Sequence, residues 1–414
     1  MNAAPAAVGG EERSPRPLAI RLLNRIGRSA PSAPSLDPAA LIARAERATG
    51  LSDWGDYDFR EGLQVLTRSL AQDSQLNTIG RVLLREYLHR TLSNRLLLRR
   101  DLLAHPEILD VEVRRPLFIV GLPRTGSTML QRLLARDPAV RSLQTWEMFH
   151  PSPPPEAATY LSDPRIKQTA RRLKSLDWMA PDFATAHELV AGEPEECVGL
   201  LQATMKTAAY ELMARIPSYE RWFDQQDLRA AYADYRVQLQ HLQWRHPKDH
   251  WVLKSPFHIY GLEALLDTFP DAVIVQTHRD PAQVMPSLCS LFSVMHTLTS
   301  DNAPLQELGP NILSRISGVN DRTIELRERI GDARFADVGY RAMVADPLKA
   351  IGEIYERFGY GFTPQAQQAM LSWKDANPQH KRGRHQYTLE QFGLTEAAVD
   401  RQFARYRERF HQHL

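Results

Sequence analysis

Two short stretches carry the residue types that anion chemistry needs. Gly121-Leu-Pro-Arg-Thr-Gly-Ser-Thr128 follows an apolar run, Pro116 to Gly121, and precedes a helical pattern containing Met129, Leu130, Leu133 and Leu134. A glycine-bounded turn between strand and helix lets backbone N–H groups and the helix N-terminus face a phosphate. The spacing is that of the G-x-x-x-x-G-K-[ST] loop, with Thr128 at the hydroxyl position, but Ser127 stands where the lysine belongs and the cation comes earlier, at Arg124. Thr125, Gly126, Ser127 and Thr128 complete the loop. The second stretch runs from Val275 to Ser287, where Arg279 stands at a strand end and Ser287 eight residues on, about two helical turns into the next helix. Such a pair at the end of a neighbouring parallel strand can clamp a second phosphate, the arginine in bidentate fashion.

Taken together, Pro123-Arg-Thr-Gly-Ser-Thr128 and Arg279…Ser287 resemble the PAPS-dependent sulfotransferases (PAPS is 3′-phosphoadenosine 5′-phosphosulfate), most closely the bacterial branch related to tyrosylprotein sulfotransferases, over residues 115 to 410. The resemblance implies that the Arg124–Thr128 loop holds the 5′-phosphosulfate and that Arg279 with Ser287 holds the 3′-phosphate. Trp251-Val-Leu-Lys254-Ser-Pro looks like the family's strand-end lysine segment, which places Lys254 with Arg124 on the transferring group. Tyr340 is similar to the tyrosine that meets the adenine, although Arg341-Ala342 replaces a common acidic pair. Lys381-Arg382-Gly-Arg384 resembles a basic loop closing over the 3′-phosphate.

The acceptor hydroxyl must lose a proton, so a carboxylate or imidazole has to reach it. Glu147, in Thr145-Trp-Glu-Met148, falls near the position of the tyrosylprotein enzymes' catalytic glutamate, with a two-residue insertion, and is the expected base; His187 and His258 are the alternatives. Pro194-Glu-Glu196 either lines the acceptor pocket or caps a helix. No metal is expected. An ATP-dependent P-loop kinase is the enzymatic alternative, weakened by Ser127, with Asp280 as the nearest residue for magnesium; a non-catalytic nucleotide-binding protein is the other.

The elements that must position these residues alternate between strand and helix, which predicts an α/β fold: a P-loop-like parallel sheet flanked by helices. Strands are expected at Pro116–Gly121, His250–Lys254, Ala272–Thr277 and Phe335–Tyr340. Residues 1–36, rich in Ala, Pro, Ser and Gly, read as a flexible tail in which Leu18 to Ile26 could dock. Residues 37–108 read as a helical N-terminal layer, and 109–414 as the sulfotransferase domain with a helical acceptor-site insertion at about 150–245. The many apolar and aromatic residues of these additions favour a small hydrophobic or lipid-like hydroxyl acceptor. With 51 Lys+Arg against 49 Asp+Glu there is no global charge for binding nucleic acid, no apolar run reaches the length of a membrane span, and two cysteines 92 positions apart fit a cytoplasmic protein.

Overall fold

The computed structural model of the chain describes residues 17–28, 34–181, 183, 187–377 and 387–414. Its centre is a five-stranded sheet of β1 (Leu117–Gly121), β2 (Val140–Ser142), β3 (His250–Lys254), β4 (Val273–His278) and β5 (Phe335–Gly339). All pairings are parallel and the order is β2-β3-β1-β4-β5. The chain therefore leaves β1 toward one side for β2 and β3, then crosses to the other for β4 and β5. That reversal puts a topological switch point at the carboxyl end of β1, where the Gly121–Thr128 loop begins.

The strands are buried on both faces, as their continuous apolar runs require. Alternate residues divide between two cores: Phe118, Val120, Leu253 and Ile274 face one, while Leu117, Ile119, Val252 and Val275 face the other. Four strands lie within a residue or two of their predicted positions. β2 was not foreseen, because three residues containing a buried arginine carry no strand pattern.

The two helical additions do not pack as separate layers. Helices Pro38–Thr49, Arg60–Gln72 and Thr78–Ala104 share one core with residues 205–223, joining Leu63, Leu88 and Leu92 to Met205, Tyr210, Tyr219 and Phe223. Helix Arg229–Gln243 instead covers the sheet, through Tyr232, Tyr235, Leu239 and Leu242. In the expected tail, Leu18–Arg28 is a docked helix: Ile20 and Asn24 are buried, and the Asn24 side-chain carbonyl accepts from the Ile79 amide at 3.0 Å. Residues 1–16 and 29–33 lie outside the described residues. Thr395 caps the last helical region, its hydroxyl accepting from the Ala398 amide at 3.2 Å. Among the described residues no helix is long and apolar enough to cross a membrane.

Candidate active site

The loop after β1 is shaped by close approaches. Gly121 has φ +119°, and a Cβ there would lie 2.5 Å from the Thr277 carbonyl of β4; Gly126 has φ +85°, and a Cβ would lie 3.2 Å from the Tyr340 ring. Only glycine satisfies both demands. Thr125 is buried behind the loop, donating to the Leu122 carbonyl at 2.7 Å and sharing a hydrogen bond of 2.6 Å with the Thr277 hydroxyl, so its side chain fastens the loop rather than facing the cleft. Ser127 and Thr128 open the helix Ser127–Leu134, whose first amides have no intrahelical acceptor.

The predicted phosphate residues converge although they lie more than 150 positions apart. Arg124 Nε donates to Ser287 Oγ at 3.2 Å, Arg279 Nη1 donates to the Arg124 carbonyl at 3.2 Å, and the Arg279 guanidinium sits 4.3 Å from the centre of the Tyr340 ring. Desolvation and then the charge of Arg279 hold Arg124 below the usual arginine pKa. Two guanidiniums held together at a strand switch point, beside the start of a helix, form a site for a polyanion. Asp280 takes no part: it caps the following helix through the Ala282 amide at 3.0 Å and pairs with Arg407 at 2.7 Å. Arg382 and Arg384 lie outside the described residues.

Lys254 ends β3, next to β1, and is 3% exposed. Its Nζ donates to Thr128 Oγ1 at 3.1 Å and to Glu196 Oε1 at 2.5 Å. Residues 194–197 are strung between strand ends: the Glu195 amide donates to the Leu143 carbonyl at 2.9 Å and the Cys197 amide to the Lys254 carbonyl at 3.0 Å. Glu195 and Glu196 line the cavity described below, and the helix Val198–Gln202 that follows takes no side-chain cap from them. Glu195 Oε1 lies 2.9 Å from His187 Nε2. Burial opposes both charges, but the pair prevails: Glu195 raises the histidine pKa, and His187 with Lys254 brings Glu195 down to about 2. His187, Glu195 and Glu196 hold their ligand-type atoms within 4.8 Å of one another. Such a grouping was not visible in the sequence; Lys254 stands against one of its carboxylates, Glu196.

His187, Glu195 and Glu196 line a cavity of about 490 Å³ whose lining reaches from Leu83 to Thr299. Pro123 of the phosphate loop, His187, Glu195 and Glu196 meet there with a mainly apolar wall that includes Phe149, Leu176, Leu291 and Met295.

The other two expected bases are elsewhere. Glu147 is fully buried, with its carboxylate paired to Arg141, accepting from the Tyr160 hydroxyl at 2.9 Å and from the Gln144 amide at 2.8 Å. Its carboxylate is held within this buried network, and it does not line the cavity. His258 is fully buried, Nδ1 2.9 Å from the Tyr232 hydroxyl and Nε2 3.1 Å from Cys197 Sγ, and burial lowers its pKa to about 3. Of the three groups, His187 alone lines the cavity.

An anion loop at the switch point of a parallel sheet, tied through a buried lysine to a carboxylate in the wall of a mainly apolar cavity, is an arrangement suited to group transfer. Comparison with known proteins gives the group: the model of the sulfotransferase family matches residues 116–364, and the chain belongs to that family. The sulfotransferase STF1 of Mycobacterium tuberculosis has 34% identity and a TM-score of 0.82, covering 90% of this chain and 100% of its own. STF9 of Mycobacterium avium has 30% identity and a TM-score of 0.83, covering 92% and 98%. The omega-hydroxy-beta-dihydromenaquinone-9 sulfotransferase Stf3 of Mycobacterium bovis is 25% identical over 297 residues, 68% of this chain and 72% of that protein.

Proposed function

We propose that the protein transfers a sulfuryl group from PAPS to the hydroxyl of a small, lipid-like acceptor held in the apolar cavity, with His187 as the general base. The observation that carries this reading is the position of Lys254. Its ammonium is bonded on one side to Thr128 of the anion loop and on the other to Glu196 of the cavity wall, so it stands where a donor and an acceptor would meet.

PAPS supplies the sulfuryl group in activated form, as a phosphosulfate. The loop amides, Arg124, Ser127 and Thr128 would hold that end, and Arg279 with Ser287 the 3′-phosphate. Tyr340, packed against Gly126 and Arg279, is placed to take the adenine. Lys254 and Arg124 offset negative charge where the bond to the leaving phosphate breaks. Glu196 holds Lys254 in place. His187 takes the acceptor's proton, and Glu195 orients the ring and stabilises the imidazolium, the division of labour of a histidine–carboxylate pair. The cavity positions the acceptor hydroxyl and keeps water from competing for the sulfuryl group.

The mainly apolar lining supports a hydrophobic acceptor, and the relative Stf3 is named for a hydroxylated menaquinone. Two free, buried cysteines agree with the reducing cytoplasm as its location. The test is calorimetric titration with PAP, the desulfonated donor, and with ATP, each with and without magnesium, followed by transfer from labelled PAPS to long-chain alcohols. Magnesium-indifferent binding of PAP and labelling of an alcohol are expected. Magnesium-dependent binding of ATP without binding of PAP would overturn the proposal.

A further inference from the structure

The cavity wall carries more charge than an apolar acceptor needs. Arg90, on the helix Thr78–Ala104, lines it with its guanidinium 4.3 Å from the centre of the Phe149 ring and 5.0 Å from that of Tyr87. Arg172, on the helix Pro164–Met179, lines the same cavity and lies 5.9 Å from the same Phe149 ring. Two cations thus converge on one aromatic side chain.

The carboxylates of the lining are already matched. Glu86 is bound by Arg44 at 2.8 Å and Arg85 at 3.3 Å, Glu195 by His187 at 2.9 Å, and Glu196 by Lys254 at 2.5 Å. Asp163, which also acts on this region, is bound by Arg165 at 2.7 Å. Arg90 and Arg172 make no ion pair or hydrogen bond among the described residues. The local potential is positive enough to act on its neighbours. Burial, reinforced by Arg172, brings Arg90 down to about 10, and burial with Arg90 and Arg172 brings His150 down to about 4. His150 Nε2 is itself buried without a hydrogen-bond partner. A partly buried guanidinium such as that of Arg90, compensated only by ring faces, gains most from a planar or tetrahedral oxyanion that accepts two of its N–H bonds, with the more exposed Arg172 beside it.

We propose that Arg90 and Arg172 form a second anion subsite within the acceptor cavity, so that the acceptor is an amphiphile carrying a carboxylate or phosphate ester as well as its hydroxyl. The inference rests on the reading of this cavity as the acceptor site. Its ligand is distinct from the donor, whose phosphates belong to Arg124, Arg279 and Ser287.

The test needs no turnover. Dodecanoate, dodecyl phosphate and dodecanol are titrated into the full-length protein by displacement of a fluorescent fatty-alcohol probe. One of the two anions, whichever the subsite was built for, is expected to bind at least about tenfold more tightly than the alcohol, the factor of one charge-assisted hydrogen bond. Arg90→Gln should bring that ratio close to one and Arg90→Lys should keep part of it, with circular dichroism checking the fold. Should Arg90→Gln fail to fold, Arg172→Gln on the exposed helix carries the same comparison. Equal affinity for all three ligands, no binding of any, or a preference that survives in both variants would overturn the proposal. A protein that binds dodecanoate through Arg90 yet transfers no sulfate from PAPS to 12-hydroxydodecanoate would instead defeat the proposed function and leave the subsite standing.

Discussion

Replacing Glu147 by glutamine separates a structural carboxylate from a catalytic one. Arg141 and Glu147 are 2% and 0% exposed at their side chains. Losing the negative charge leaves the guanidinium buried with the Ser142 carbonyl at 2.7 Å, the Leu242 carbonyl at 3.1 Å, the Tyr160 hydroxyl at 2.9 Å and the faces of Trp251 and Tyr160. Breaking a buried pair in this way costs about 3–5 kcal/mol. Those remaining carbonyls and ring faces put the expected loss at the lower end, about 3 kcal/mol. At roughly 2 °C per kcal/mol, the lower figure appropriate to a large chain, the unfolding midpoint should fall by about 6 °C. Differential scanning calorimetry, run with PAP titration and steady-state transfer below the transition, reads all three quantities. The expected variant is less stable, binds PAP normally and, as long as it is folded, turns over within a few-fold of the parent. A variant with an unchanged midpoint and turnover reduced a hundredfold or more would refute the reasoning and return Glu147 to the role of base.

The same transfer assay should show His187→Gln losing about 10²–10⁴ in turnover with PAP affinity retained, the range for removal of a general base. Because Glu195 raises the His187 pKa above 6.5 and only the neutral ring accepts a proton, turnover should rise with pH to a midpoint above 6.5, and Glu195→Gln should move that midpoint downward in the pH–rate profile. The raised histidine and depressed glutamate also make their mutual stabilisation greatest between about pH 4.5 and 6.5, fading as pH climbs through the folded histidine value or falls toward 2, which urea unfolding across pH can follow in Glu195→Gln against the parent. Arg279→Ala should weaken PAP by at least about tenfold in calorimetry, with magnesium making no difference. Met295→Trp, which fills part of the cavity, should raise KM for long acceptors more than for short ones while PAP affinity holds.

What the sequence reveals about this molecule follows the range of the interactions involved. β1, β3, β4 and β5 are continuous apolar runs buried on two faces, a signal that needs no partner to be read. The loop and the Arg279…Ser287 pair are local spacings on a strand–turn–helix frame, so they too survive in one dimension. β2 fails this test because Arg141 in its middle is buried only by virtue of Glu147, and that pairing runs from a strand into the next helix with no periodicity to mark it. The same hidden pairing made Glu147 look available. The cavity was the least legible part, since its wall is gathered from helices far apart in the chain. Glu195 and Glu196 did leave a signal: a lysine at the end of a buried strand needs a counter-charge, and two adjacent acids beside an apolar stretch can supply it.

The shared core of the N-terminal helices and residues 205–223 has a consequence for how this enzyme can diverge. Arg279 and Lys254 stand at strand ends, whereas much of the cavity wall hangs on helices, one of which, Pro281–Thr299, also carries Ser287. Substitutions on the other helices can therefore retarget the enzyme to a different alcohol while the donor grip stays as it is. A lineage built this way can accumulate acceptors quickly, because each trial change in the wall leaves the costly part of the chemistry, the capture of an activated sulfate, already solved.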